Sequence, residues 1–191
     1  MCVFDVGANR GQMALFFAKA VGPAGLVVSF EPVPEVYADL VANIEINRLV
    51  HVQTLNAAAA GEDGELTFEF DPKYSTQGKL GECEPSYHLD GAKTIAVKAM
   101  RLDTLVESGV RPPEFIKIDV EGGARQVLIG AQRILQEFRP ELYIELHGPE
   151  EKLAVREYVQ ANGYRIRSLS GDEIDDVVSS PARDLWCVPA R

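Results

Sequence analysis

The chain is short of the residues that make covalent or metallic cross-links. It holds three cysteines in 191 residues, Cys2, Cys83 and Cys187. They are odd in number, far apart, and in no CxxC or CxxH spacing, which excludes a disulfide frame and a zinc ribbon. They read as small buried or incidental residues of a reducing compartment, so the cytoplasm is the expected location. Positive charge is also scarce: 19 Lys and Arg face 29 Asp and Glu, a formal net charge of −10. A surface so acidic repels phosphates, which argues against nucleic acid and anionic membranes as partners. No apolar run approaches the roughly 20 residues of a membrane span, and no basic segment leads into a cleavable signal. Repeats, low-complexity tracts and long Pro/Gly/Ser linkers are missing too. What remains is an ordinary soluble composition, 46% hydrophobic and 25% charged. Its length suits a single domain over 1–191 that buries roughly 70% of its unfolded surface.

What is present is alternation. Strands are expected at Val3–Val6, Leu26–Phe30 and Val50–Leu55, with helices at Gln12–Ala20 and from Pro34 through Asn47 between them. Further strands are expected at Leu66–Phe70, Ile95–Met100, Phe115–Val120 and Leu142–Leu146, and helices at about Ala124–Phe138 and Glu150–Asn162. Strands interleaved with helices imply an α/β fold, a mostly parallel sheet with helices on both faces. Tyr164–Leu169 and Leu185–Val188 have no helix between them and predict a closing antiparallel pair. Between the two middle strands, Asp71–Lys93 carries three glycines, two prolines and almost no periodicity. This marks a lid or substrate wall at about 71–94, with Tyr74, Ser75, Tyr87 and His88 on it and His88 as a second candidate base.

The turn after the first strand, Asp5-Val6-Gly7-Ala8-Asn9-Arg10-Gly11, reads as a cofactor cradle. Gly7 and Gly11 allow positive φ and close approach of a ligand to the backbone, and the following helix offers free N–H groups. Asp5, at the strand's carboxyl end, would repel a pyrophosphate but suits ammonium and sulfonium cations. Glu31, in Phe30-Glu31-Pro32, stands where a carboxylate accepts the two hydroxyls of a ribose. Asn9 occupies the middle-glycine position of a GxGxxG fingerprint, so a methyl donor fits better than a dinucleotide. A helix-capping or turn carboxylate at Asp5 and a solvated strand-end charge at Glu31 are the competing readings.

The second constellation lies on two later strands. Alternation in Ile116-Lys117-Ile118-Asp119-Val120-Glu121 puts Lys117, Asp119 and Glu121 on one side, and Glu145 and His147 end the next strand. The four groups Asp119, Glu121, Glu145 and His147 converge if the strands are parallel. A histidine near pKa ~6.5 is a natural acceptor for a hydroxyl proton. The same set could bind a divalent metal. A Lys117 ion pair, or a histidine merely at the core edge, would leave these residues structural.

Together these pieces resemble the FkbM family of methyltransferases. The resemblance is carried by VFDVGANRGQ (3–12), SFEPVPEVYADL (29–40), Asn56-Ala57-Ala58, IKIDVEGGARQVLIGA (116–131) and ELYIELHG (141–148). It implies a class I fold, a seven-stranded sheet in the order 3-2-1-4-5-7-6, and S-adenosylmethionine as methyl donor. It implies a hydroxyl acceptor on a small molecule or sugar, with a homo-oligomer compatible. Asp5, Gly7, Asn9, Gly11, Glu31 and Pro32 would hold the cofactor. Asn56 and Ala57 would lie near its adenine, and Asp119 and Glu121 near the reacting centre. Two departures stand out. Family members usually carry covering helices before the first strand, whereas this chain starts two residues before it. They also commonly have an acidic residue after the Glu-Gly pair, where this chain reads Gly123-Ala124-Arg125. A nucleoside-binding module without turnover and an NAD-binding oxidoreductase domain are the alternative readings.

Overall fold

Alternation within the first strand sets the layering. In a computed structural model, which describes residues 1–71, 74–80 and 93–190 and side chains over 1–70 and 93–190, the strand Cys2–Val6 is buried throughout. Cys2, Phe4 and Val6 enter the larger core, while Val3 packs on the opposite face with Phe17, Ala18 and Val27. A strand covered on both faces belongs inside a parallel sheet flanked by helices.

The described elements run β1 (Cys2–Val6), α1 (Gln12–Val21), β2 (Leu26–Phe30), α2 (Pro34–Ile46), β3 (Val52–Leu55), β4 (Ala58–Ala59), β5 (Gly64–Asp71), β6 (Tyr74–Leu80), β7 (Lys93–Met100), α3 (Leu102–Glu107), β8 (Phe115–Ile118), α4 (Ala124–Ile129), β9 (Glu141–Glu145), α5 (Pro149–Ala154), β10 (Tyr164–Ser168) and β11 (Asp184–Pro189). Seven form one sheet in the order β3-β2-β1-β8-β9-β11-β10. Counted within that sheet, this is 3-2-1-4-5-7-6. The whole-chain numbering jumps because a second sheet, ordered β4-β7-β5-β6, is inserted after its third strand. β1, β2, β3, β8 and β9 run parallel, and β11 is antiparallel to both β9 and β10. α1 and α2 cover one face. Residues of α3 and α4, with the stretch Ala154–Val159, fill the core on the other. No helix of the described residues is long and apolar enough to cross a membrane.

The small sheet corrects the expectation of an irregular stretch over 71–93. Tyr74–Leu80 is a strand paired antiparallel with β5, and its register comes from that partner, since its own sequence does not alternate. Residues 72–73 and 81–92, with Tyr87 and His88, lie outside the described residues. α3, at six residues, is too short to show a helical period.

The expected helix over 124–138 is divided. α4 stops at Gly130, and a wider π turn, Ile134–Phe138, follows. Two tertiary contacts cause the break. A Cβ on Gly130 would stand 2.0 Å from the Ala60 carbonyl oxygen. The buried Asp103 accepts the backbone N–H groups of Arg133 and Ile134, each at 3.0 Å, capping the second segment from another helix. The final helix, expected over 150–162, is continuous but changes pitch after Ala154. Gly130→Ala should lower the unfolding free energy by about 1–3 kcal/mol, because a carbonyl of the backbone cannot swing aside. Urea denaturation checks this, and an unchanged midpoint would show that the Ala60–Gly130 contact yields at no cost.

Candidate active site

Parallel pairing brings the carboxyl ends of five strands to one edge of the sheet, and the strand order reverses between β1 and β8. Ligands of open α/β sheets bind at such a switch point. A cavity of about 290 Å³ lies there. Every one of the five strand ends contributes: Gly7 and Asn9 follow β1, Glu31 and Pro32 follow β2, Ala57 follows β3, Asp119 and Glu121 follow β8, and Glu145 and His147 belong to β9 and its loop.

At one end Glu31 is buried. Its Oε2 accepts the Asn9 N–H at 3.0 Å and its Oε1 accepts the Val33 N–H at 2.9 Å. Burial pushes its carboxyl up to about 7 against those two bonds. A carboxylate offers about four acceptor positions, so two remain for hydroxyl donors from the cavity. Gly7, at φ +78°, brings the turn so close that a Cβ would meet the Asp119 carbonyl oxygen at 1.9 Å.

Three expected cofactor residues do not line the cavity. Asp5 is completely buried beneath it, because its strand position faces the Lys117 ammonium at 3.4 Å. Gly11 packs against α2, where a Cβ would be 2.6 Å from Leu40 Cδ1. Asn56 is exposed and donates its amide to the Glu31 and Pro32 carbonyls at 2.9 and 3.0 Å, so it holds the loop that presents Glu31.

At the other end the charges alternate. Lys117, buried on β8, donates to the Gly7 carbonyl at 2.7 Å and lies 3.4 Å from Asp5 Oδ1 and 3.3 Å from Asp119 Oδ2. Asp119 Oδ1 meets His147 Nε2 at 3.2 Å, and Glu121 Oε2 meets His147 Nδ1 at 3.1 Å. Hydrogen bonds to Asp119 and then Glu121 raise the imidazole to about 10. The ring lies between two carboxylates, which favour its imidazolium form. Partial burial pushes Asp119 up, but His147 and Lys117 outweigh it and hold its carboxyl below the ordinary range. Glu145 is half-buried, and burial followed by the nearby Asp119 charge raises it. One ligand atom from each of Asp119, Glu145 and His147 lies within 4.8 Å of the others. Both His147 nitrogens are already engaged, and an ammonium stands at Asp119, so the set suits an imidazolium better than a metal.

Several contributors were not singled out from the sequence. Phe68 and Phe70, on β5, form an aromatic wall of the cavity. Glu151, buried in the first turn of α5, accepts the Ala124 N–H at 3.0 Å and the His147 N–H. It thereby ties the loop after β8 to the loop after β9. Its only local signal is an acidic residue in the first turn of a helix, four places after His147.

The sheet order, the antiparallel closing strand and the switch-point cavity define the class I methyltransferase fold. Aeropyrum pernix fibrillarin, solved with bound S-adenosyl-L-methionine, superposes with a TM-score of 0.55 at 12% identity, over 97% of this chain and 65% of that one. The chain belongs to the FkbM methyltransferase family: the Methyltransferase FkbM domain matches residues 5–166. The methyltransferase FkbM of Methylobacillus flagellatus superposes with a TM-score of 0.64 at 18% identity, over 97% of this chain and 42% of that one. The hexuronic acid methyltransferase AglP of Haloferax volcanii is 30% identical over 142 residues, 70% of this chain and 51% of AglP. The 31-O-demethyl-FK506 methyltransferase FkbM of Streptomyces tacrolimicus is 30% identical over 155 residues, 68% of this chain and 59% of that protein. The chain thus spans about half the length of these curated relatives.

Two measurements test the charge network. Lys117→Met should cost roughly 3–5 kcal/mol, because Asp5 keeps its burial and loses its counter-charge, and Asp5→Leu in the same chain should recover much of it. A loss in the double variant equal to the sum of the two single losses would show that the pair is not coupled. For His147 the folded pKa of about 10 lies above the ordinary histidine value of 6.5. Its ion pairs therefore stabilise fully below about pH 6.5 and stop doing so as pH rises toward 10. The stability difference between wild type and His147→Gln should shrink over that window, with both ring nitrogens protonated at pH 8 by nitrogen NMR.

Proposed function

We propose that the chain binds S-adenosylmethionine and transfers its methyl group to a hydroxyl of a small molecule or sugar, within the cytoplasm. One observation carries this reading. A single cavity joins a buried, ribose-type carboxylate at Glu31 to a carboxylate-lined transfer end at Asp119, Glu121 and Glu145. The names of the relatives, a hexuronic acid methyltransferase and a 31-O-demethyl-FK506 methyltransferase, point to sugars and small-molecule hydroxyls.

Gly7, Asn9, Glu31, Pro32 and Ala57 would hold the cofactor, whose ribose hydroxyls match the open acceptor positions of Glu31. When bound, it supplies an activated methyl group on a positively charged sulfur. The protein's part is to align the acceptor oxygen with that carbon and to exclude water. Phe68 and Phe70 shield one side of the cavity. The hydroxyl proton must leave as the oxygen–carbon bond forms. His147 already carries a proton, so Glu145 takes it, its basicity increased by burial. His147 and Lys117 fix Asp119 beside it. A nucleoside-binding module without turnover would need only the ends of β1 and β2, and it gives no reason for four ionisable groups on β8 and β9.

Calorimetric titration with S-adenosylmethionine, S-adenosylhomocysteine and NAD tests the proposal. Micromolar binding of the first two, no binding of NAD, and loss of affinity in Glu31→Ala are the expected results. Failure of both adenosyl ligands to bind would remove it. With an acceptor in hand, Glu145→Gln should slow transfer by roughly 10²–10⁴-fold and leave affinity for the uncharged product S-adenosylhomocysteine nearly unchanged.

A further inference from the structure

The transfer end of the cavity carries charge of one sign beyond what its own cations neutralise. Lys117 is committed to Asp5, Asp119 and the Gly7 carbonyl. The His147 imidazolium is committed to Asp119 and Glu121 through both ring nitrogens. Glu145 lines the same cavity, and among the described residues its carboxylate makes no hydrogen bond or ion pair. Its register partner on β11 is Asp184, a second acid, which accepts the Tyr143 hydroxyl at 2.5 Å. No arginine or further lysine lines the cavity among the described residues.

A carboxylate or phosphate brought here would face Glu145 in a partly dry site and find no free cation among the described residues. In such surroundings two like charges a few ångströms apart repel strongly, and an anion left unpaired loses its hydration without replacement. A hydroxyl, an amine or an ammonium meets the opposite situation, because Glu145 accepts from each of them. An acidic site of this kind also matches the positive charge of a sulfonium.

We propose that the acceptor is a non-anionic alcohol, a neutral or amine-bearing polyol, and that Glu145 excludes acceptors with an acid group beside the reacting hydroxyl. This rests on the reading of the cavity as a methyl-transfer site. It makes Glu145 a specificity residue as well as the proton acceptor.

The charge preference can be read without knowing the acceptor, using three adenosyl ligands that differ at the transfer point. S-adenosylhomocysteine is neutral there. A second analogue places an ammonium-bearing carbon in the sulfur position, and a third carries a carboxymethyl group in place of the methyl. In wild type the ammonium analogue should bind at least tenfold more tightly than the carboxymethyl one. In Glu145→Gln that ratio should fall at least fivefold, with S-adenosylhomocysteine affinity within threefold of wild type as the check that the cavity is intact. Glu145→Ser repeats the measurement should the amide disturb the strand end. Equal affinities for the two charged analogues, or a ratio unchanged in both variants, would overturn the proposal while leaving the cofactor reading in place. Absence of S-adenosylhomocysteine binding in wild type would instead bring down the cofactor reading, and the specificity argument with it.

Discussion

The buried ammonium of Lys117 is the contact on which the rest of the site depends. It reaches Asp5 on β1, the Gly7 carbonyl just after that strand, and Asp119 just after β8. Asp5 and Lys117 are register partners in the parallel pair β1–β8, so their meeting follows from strand pairing and needs no loop to arrange it. Burying either charge alone would be costly, and together they hold the turn after β1 against the end of β8. The same closeness explains Gly7, since the space a side chain would need is taken by the Asp119 backbone. The ammonium donates a hydrogen bond to the Gly7 carbonyl and balances the two carboxylates by charge.

From that anchor the charges alternate outward, Lys117 to Asp119 to His147 to Glu121. Lys117 and His147 favour the ionised form of Asp119, and Asp119 and Glu121 favour that of His147. His147 therefore ends up protonated, and Asp119 stays a low-pKa carboxylate. Glu145 is left over, and its environment pushes it in the opposite direction from Asp119. Two carboxylates driven apart by their surroundings are a common way for one cavity to hold separate electrostatic and proton-transfer roles. Glu151 keeps this arrangement in place by bridging the two loops that carry it.

The inserted small sheet gives the cavity its apolar side. Phe68, Phe70 and Val97 pack with Ala58 and with Val33 and Val36, at the start of α2. A single apolar cluster thus joins the small sheet to the loop that presents Glu31. The Val33 N–H bonds to Glu31, so packing of this cluster and the orientation of the ribose-type carboxylate are coupled.

Much of this was legible in the residues alone. The α/β class, the seven-strand order and the grouping of Asp119, Glu121, Glu145 and His147 follow from periodicity, strand-end placement and family motifs, because a parallel sheet gathers strand ends at one edge whatever its loops do. Other features depended on partners distant in the chain. The break at Gly130 comes from Ala60 and Asp103, and β6 takes its register from β5. Asp5 is a base to the cavity and not part of its wall, because Lys117 lies across from it. The protonation of His147 required two carboxylates at hydrogen-bond distance. The sequence by itself determined which ionisable groups reach the site. Only the tertiary structure decided which of them neutralise one another and which is left to act, because pairing depends on distances of a few ångströms that spacing along a chain does not specify.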